Sequence, residues 1–521
     1  MLKKMKKMKK LKLIKYSAVL FLLGIMACTN LEENVLDEQL GTNLVNDPSN
    51  IQALINPPYA SLRHTIEWYD YWALQEVTSD EVIVPTRGSD WYDNGAWIQL
   101  HLQTWTPDHI RMKNVWNALN QGVSRANTAI YYIGQFAQDA TTELDINEAR
   151  FLRAYFMYLI DDLYGQVPFR QADDLDFSAT PEVMNRKQAA DFIISELKAI
   201  MPNLKTKSDV GSARVTQGAA QALLAKVYLN YEVYTGEAKW DSCKYYCDQL
   251  INSSDYAVAD DYWSMFQKDV AEHPEFILRV PMDDNVTMGS GSVWVNFTLH
   301  YSQTFGNITS TWNGPSTTST FFNTWDKQND VRFYDDRIKS QTGFNQGFLV
   351  GQQYGLDGTA LEQRNGDPLV FVPEINLTSS PENAGIRVVK FAPNPETQNQ
   401  FSSPNDVPIM RISDIYLMRA EAELRMGDEP SALADVNYLR SKRNAPDHTL
   451  PQYTTLTLGD ILKERGYELY WEGLRRQDLI RFGKFTDPWQ EKPATDASKE
   501  IFPIPQSAVD VNENLTQNPG Y

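Results

Sequence analysis

Cysteine is almost missing from this chain: Cys28, Cys243 and Cys247 are the three in 521 residues. That count excludes a disulfide-built scaffold, and six scattered histidines leave no Cys/His spacing able to hold zinc. Cys243 and Cys247 stand four apart in a helical pattern, a geometry that seldom bridges, and read as two small buried hydrophobes. His-Glu-x-x-His, Gly-x-Ser-x-Gly, a phosphate loop and a dinucleotide fingerprint are absent too, so no motif points to catalysis. A glycosidase needs only two suitably spaced carboxylates, and with 67 acids it stays open as the enzyme alternative. Positive charge is scarce, at 48 Lys and Arg against 67 Asp and Glu, for a net charge of −19. Eight of those lysines lie in residues 1–15. Without residues 1–27 the balance is 40 against 67, or −27. So acidic a surface repels nucleic acid and anionic lipid headgroups, and excludes both as partners. Long apolar runs are lacking as well: residues 16–27 fall short of the roughly 20 apolar residues that span a bilayer.

What the N-terminus does hold is a basic segment, a short apolar stretch and Gly24-Ile25-Met26-Ala27-Cys28. A small residue before a cysteine resembles a bacterial lipobox, so residues 1–27 read as a lipoprotein signal peptide and Cys28 as the lipid anchor. More than one acyl chain holds a protein stably on a membrane. Residues 28–45 are acidic and read as a tether.

Helical spacing of apolar residues fills 114–134, 146–164, 186–200, 216–234 and 238–251, then 413–426, 431–442 and 458–473. Gly165, Gly236 and Gly427 are placed as helix stops. Alanine and tyrosine at packing positions, as in residues 219–229, resemble tetratricopeptide units. Two regions break the pattern, 68–107 and 255–407, both rich in Gly, Asn, Thr, Ser, Pro and aromatics. The second is too long to be one loop. The organisation expected is a helical part over 46–254 carrying the aromatic loop 68–107, an irregular subdomain over 255–407, and a helical part over 408–521.

Six blocks in order, 116–130 (WNALNQGVSRANTAI), 148–169 (EARFLRAYFMYLIDDLYGQVPF), 411–427 (RISDIYLMRAEAELRMG), 436–443 (VNYLRSKR), 461–483 (ILKERGYELYWEGLRRQDLIRFG) and 502–521, resemble the SusD/RagB family. The resemblance implies a mainly α fold, a right-handed superhelix of tetratricopeptide-type helix pairs with a long irregular insertion of loops, short helices and small strands. It implies a cell-surface lipoprotein of the outer membrane that binds a nutrient glycan without catalysis. The partner it implies is a SusC-like TonB-dependent transporter. RagB-type members resemble peptide importers, so a peptide ligand is the alternative within the family.

The family implies a shallow ligand surface built from the irregular regions. Residues 87–97 suit a sugar: Arg87, Trp91, Tyr92, Asp93, Asn94 and Trp97 combine flat apolar faces for C–H surfaces with hydrogen-bonding groups for hydroxyls. Tyr301 and Trp312 belong to a second aromatic stretch, 294–312. The charged residues inside the blocks, Glu148, Arg150, Arg153, Asp161 and Asp162, then Glu464, Arg465, Glu468, Glu472, Arg475, Arg476 and Asp478, read as ion pairs that fix helix register. No cofactor is expected. Asp283-Asp284-Asn285 and residues 330–336 offer oxygens to a structural calcium without EF-hand spacing, and solvated turn acids are the preferred reading.

Overall fold

The computed structural model describes residues 50–521, apart from residues 137, 175–178, 269, 284–293, 398 and 401–403. The signal segment, Cys28, the tether, Asp284 and Asn285 lie outside the described residues.

The main helices are α1 (Ile51–Ser61), α2 (Ile110–Ile133), α3 (Ala140–Tyr164), α4 (Arg186–Ile200), α5 (Gln217–Thr235), α6 (Trp240–Ile251), α7 (Ile412–Arg425), α8 (Glu429–Ser441), α9 (Leu458–Leu469) and α10 (Arg475–Arg481). Local chemistry sets their ends. Asp139 starts α3 in a capping box with Thr142, and Asn185 starts α4 in one with Gln188. Gly165 and Gly236 end α3 and α5 in the left-handed conformation that costs glycine least.

From α1 to α8 each of these helices packs on the one before it. This holds even for α6 and α7, between which the whole irregular region is inserted in sequence. The two ends of that region are tied by antiparallel pairing of Phe276–Val280 with Val407–Arg411, so the excursion returns to the helix stack where it left. Inside it, Gln346–Leu349 pairs with both Tyr334–Asp335 and Arg387–Val389.

The helix expected over 458–473 ends at Leu469, and α10 is a separate short helix beyond that span. The chain leaves the helical path after Leu469, and Trp471 (φ 61°) and Gly473 (φ 77°) turn it back before α10. The break is held from outside: Trp72 Nε1 donates to the Trp471 carbonyl at 3.0 Å, and Glu76 Oε1 accepts the Gly473 N–H at 2.6 Å.

The charges in the helical blocks are structural. Glu468 accepts from Arg411 (2.6 Å), Arg443 (2.7 Å) and Arg332 (3.0 Å), while Glu464 takes Arg332 (2.8 Å) and Arg440 (2.6 Å). Burial alone would raise the Glu468 carboxyl, but Arg443 and Arg411 lead in holding it well below its ordinary value. Arg332 comes from the insertion and Glu464 and Glu468 from α9, so the network locks the two together. On α3, Glu148 accepts from Tyr59 and Arg214, and Arg150 and Arg153 both grip Glu196. Asp161 differs: its buried oxygens have no hydrogen-bond partner, and burial pushes its carboxyl well above the usual range.

Candidate functional site

Residues 87–97 and 294–314 meet because a two-residue sheet joins them. Val82–Ile83 pairs antiparallel with Ser316–Thr317, so the loop leaving the first strand runs beside the segment entering the second. The chain before Ser316 is pinned on the short helix Trp294–Thr298: Trp312 N–H donates to the Asn296 carbonyl (2.8 Å), and Gly314 N–H to that of Phe297 (2.6 Å).

The first loop is tightly folded. Arg87 and Asp90 exchange two backbone hydrogen bonds of 3.0 Å, and Gly95 N–H closes on the Tyr92 carbonyl at 2.6 Å. Between them Trp91 (φ 63°), Asp93 (φ 41°) and Asn94 (φ 53°) adopt positive φ, a conformation uncommon outside glycine and strained for a tryptophan. The strain presents Tyr92, Asp93 and Asn94 to solvent and leaves Trp91 half-buried.

Trp91 Nε1 donates to the Trp312 carbonyl (2.6 Å), and the two rings lie 6.4 Å apart at 55°. Beneath them Trp68 stacks on Phe297 at 3.8 Å, and Phe297 meets the Trp312 ring edge-on at 4.6 Å. Gly314 is required for this approach, because a Cβ there would stand 2.2 Å from the Trp91 ring. Trp312 is 39% exposed, so an aromatic face backed by packed rings looks into water, and Tyr92 is 52% exposed on the first loop. Tyr69, 40% exposed, extends the surface from the Trp68 side.

Two of the expected contact residues, Trp97 and Arg87, are buried. Trp97 is fully buried: its Nε1 donates to Asp93 (2.7 Å) and its ring packs against Arg111, whose guanidinium carbon lies 3.8 Å from the Trp97 centroid and 3.5 Å from that of Tyr69. Arg87 is buried as well and donates to the carbonyls of Asn313 (2.8 Å), Pro381 (2.5 Å) and Ala384 (2.8 Å). These three carbonyls, with Ser316 Oγ at 3.2 Å, occupy the guanidinium. It fixes the turn at Asn313 (φ 55°), and thereby Trp312, and burial lowers its pKa to about 9. Asp93 is shared, since Oδ2 supports Trp97 and Arg111 while the side chain stays 43% exposed.

Tyr301 lies beside the first loop, where its hydroxyl donates to Asp90 Oδ2 at 2.5 Å. Burial, then the bond to Asp90, push its phenol well above the ordinary value. Arg364 rests over its ring at 4.1 Å and pairs with Asp90 (3.4 Å) and Glu382. Glu382 also meets His300 Nε2 at 3.0 Å, and burial lowers that imidazole to about 4, so it is neutral at pH 7.

Sequence reasoning missed Arg111, Asp90, Arg364 and Glu382. Trp68-Tyr69 carried a readable signal, adjacent aromatics at the head of the irregular loop, whereas Arg364 sits in an unmarked polar turn. No group of three or more His, Cys, Asp or Glu placed to hold a metal occurs among the described residues. Of the calcium candidates, Asp330 is spent on Arg332 and Asp335 on Arg337, so both serve ion pairs.

Residues 262–521 match the family described as "SusD family", and residues 35–229 one described as "Starch-binding associating with outer membrane". The chain is 26% identical over 485 residues to the starch-binding protein SusD of Bacteroides thetaiotaomicron, covering 83% of this chain and 82% of that one. A SusD-like protein of Bacteroides ovatus is 23% identical over 433 residues, 80% and 73% of the two chains. Among solved structures, a SusD superfamily protein of Parabacteroides distasonis superposes with a TM-score of 0.71 at 20% identity, covering 91% and 99%. Surface glycan-binding protein A of Bacteroides thetaiotaomicron in complex with laminarihexaose does so at 0.67 and 20%, covering 90% and 99%.

Proposed function

This chain belongs to the SusD family, and on that premise we propose that it is a non-catalytic glycan-binding lipoprotein of the outer membrane, held by acyl chains on Cys28, which passes its ligand to a SusC-like TonB-dependent transporter. The observation that carries the reading is the aromatic surface of Trp91 and Trp312, backed by Trp68 and Phe297, with Tyr92 exposed next to Trp91 on the strained loop. A sugar ring laid on such a face buries C–H surface while its hydroxyls stay within reach of Asp93, Asn94 and Tyr301. A preformed platform spends little ordering entropy on binding. Starch binding by one relative and a laminarihexaose complex of a structural neighbour support a glycan as ligand. The "associating with outer membrane" description of the matching family and the lipobox around Cys28 support the location.

Electrophoresis of the soluble protein, lacking residues 1–28, through gels cast with single polysaccharides tests the binding. Retardation by at least one glycan, without release of reducing sugar, is expected. Migration unaffected by every glycan of a broad panel, or turnover of any of them, contradicts the reading. Detergent extraction of native membranes tests the partner: a TonB-dependent barrel should co-purify with the wild-type chain.

A further inference from the structure

The aromatic surface is bordered by a charged group that binding of a flat ring does not require. Arg364 sits at the tip of a hairpin closed by Gln363 N–H to the Asp367 carbonyl (2.8 Å) and by the Glu362–Pro368 bridge. Its position is fixed from four sides. The backbone N–H donates to Glu382 Oε2 (3.0 Å), Nε to Glu382 Oε1 and Nη2 to Asp90 Oδ2 (3.4 Å), while the guanidinium plane rests on Tyr301. Both carboxylates are tied to the platform. Asp90 immediately precedes Trp91, and the Glu382 carbonyl accepts from the side chain of Asn313, next to Trp312 (3.1 Å).

Despite these bonds the Arg364 side chain is 58% exposed, and among the described residues its Nη1 has no hydrogen-bond acceptor. A guanidinium clamped on one edge and open on the other is a donor fork whose ordering cost is already met, suited to two adjacent oxygens. The charges around it indicate which oxygens. Two carboxylates already hold the guanidinium, Asp90 and Glu382, with exposures of 38% and 19% against 58% for Arg364. The balancing guanidiniums of Arg87, Arg111 and Arg387 are buried behind them. An anionic group reaching Nη1 is therefore repelled by the two carboxylates that hold the guanidinium, whereas a neutral diol meets no such penalty.

We infer that Arg364 is a specificity-determining residue of the site, donating through Nη1 to vicinal hydroxyls of a neutral glycan stacked on Trp91 and Trp312, and that the Asp90–Glu382 pair around it disfavours uronate and sulfated sugars. This rests on the glycan-binding reading and adds to it the class of glycan and the residue that selects it. Loss of this charge-assisted donor is expected to weaken binding about tenfold, near 1.4 kcal/mol, which is large enough to measure.

Titration calorimetry of the soluble protein against starch, laminarin, polygalacturonate and alginate tests it, with Arg364→Ala, Arg364→Lys and Trp312→Ala alongside the wild type. The expected results are affinity for a neutral glycan, little change of that affinity between low and high salt, and about a tenfold loss in both Arg364 variants at unchanged melting temperature. Lysine is expected to fail with alanine because an ammonium cannot hold two carboxylates and still present a fork. If Trp312→Ala loses binding while Arg364→Ala keeps wild-type affinity, or if acidic glycans bind more tightly than neutral ones, the inference is overturned and the glycan-binding reading stands. Absence of binding to any glycan overturns both.

Discussion

At the scale of single residues, the site separates side chains that face solvent from those that hold them. Trp91, Tyr92 and Trp312 face outward, while Arg87, Trp97 and Arg111 lie behind. Composition marked residues 87–97 as ligand-like but did not say which way each side chain turns, because that depends on positive φ at Trp91, Asp93 and Asn94 and on a carbonyl-lined socket for Arg87 made by residues hundreds of positions away. Gly314 isolates the platform from the rest of the fold. A methyl group there would collide with the Trp91 ring, which is held in place by its bond to the Trp312 carbonyl. Gly314→Ala is expected to tilt that ring and weaken glycan binding about tenfold, near 1.4 kcal/mol, while thermal unfolding shifts by only a few degrees. Calorimetry beside a melting curve checks both halves.

At the scale of elements, helices were legible and their interruptions were not. The spacing of Ile415, Leu417, Met418 and Ala422, or of Phe151, Leu152 and Phe156, is a property of the segment itself, so α7 and α3 could be read directly. The break after Leu469 is imposed by Trp72 and Glu76 from the far end of the chain, which no local window contains. The same junction carries a titration. Burial raises the Glu76 carboxyl from 4.5 to about 7, against the backbone N–H groups of Gly473 and Leu474 that favour its ionised form, and Glu81 lies alongside. A carboxyl whose folded pKa is raised binds more protons folded than unfolded between about pH 4.5 and 7. Its contribution is therefore fully present below that range and is lost as pH rises through it. Glu76→Gln keeps an oxygen for both N–H groups and cannot ionise. Its melting temperature should exceed that of the wild type at pH 8 and change less between pH 5 and 8, as followed by circular dichroism.

At the scale of the whole molecule, the insertion and the helix stack are one structure because buried charges join them. Glu468 is shared by Arg332, Arg411 and Arg443, and Arg443 also reaches Glu275 at 2.9 Å beside the strand that opens the insertion. Neutralising Glu468 leaves three buried guanidiniums short of an anion, so Glu468→Gln is expected to cost about 3–5 kcal/mol in denaturant unfolding. The mainly helical architecture, the interrupting irregular region and the structural role of block charges could be read from sequence because they follow from periodicity and from the cost of burying charge. The platform's support by Trp68 and Phe297 could not, since it depends on the small sheet that brings residues 82–83 to residues 316–317.

Whether the half-buried ring of Trp91 and the exposed ring of Trp312 bind sugar is tested most directly by a double Trp91→Ala, Trp312→Ala variant. Titration of wild-type and double-variant soluble protein with a glycan that retards the wild type should show a loss of at least about a hundredfold, near 2.7 kcal/mol, with the variant still folded by circular dichroism. Wild-type affinity in a folded double variant would contradict the account.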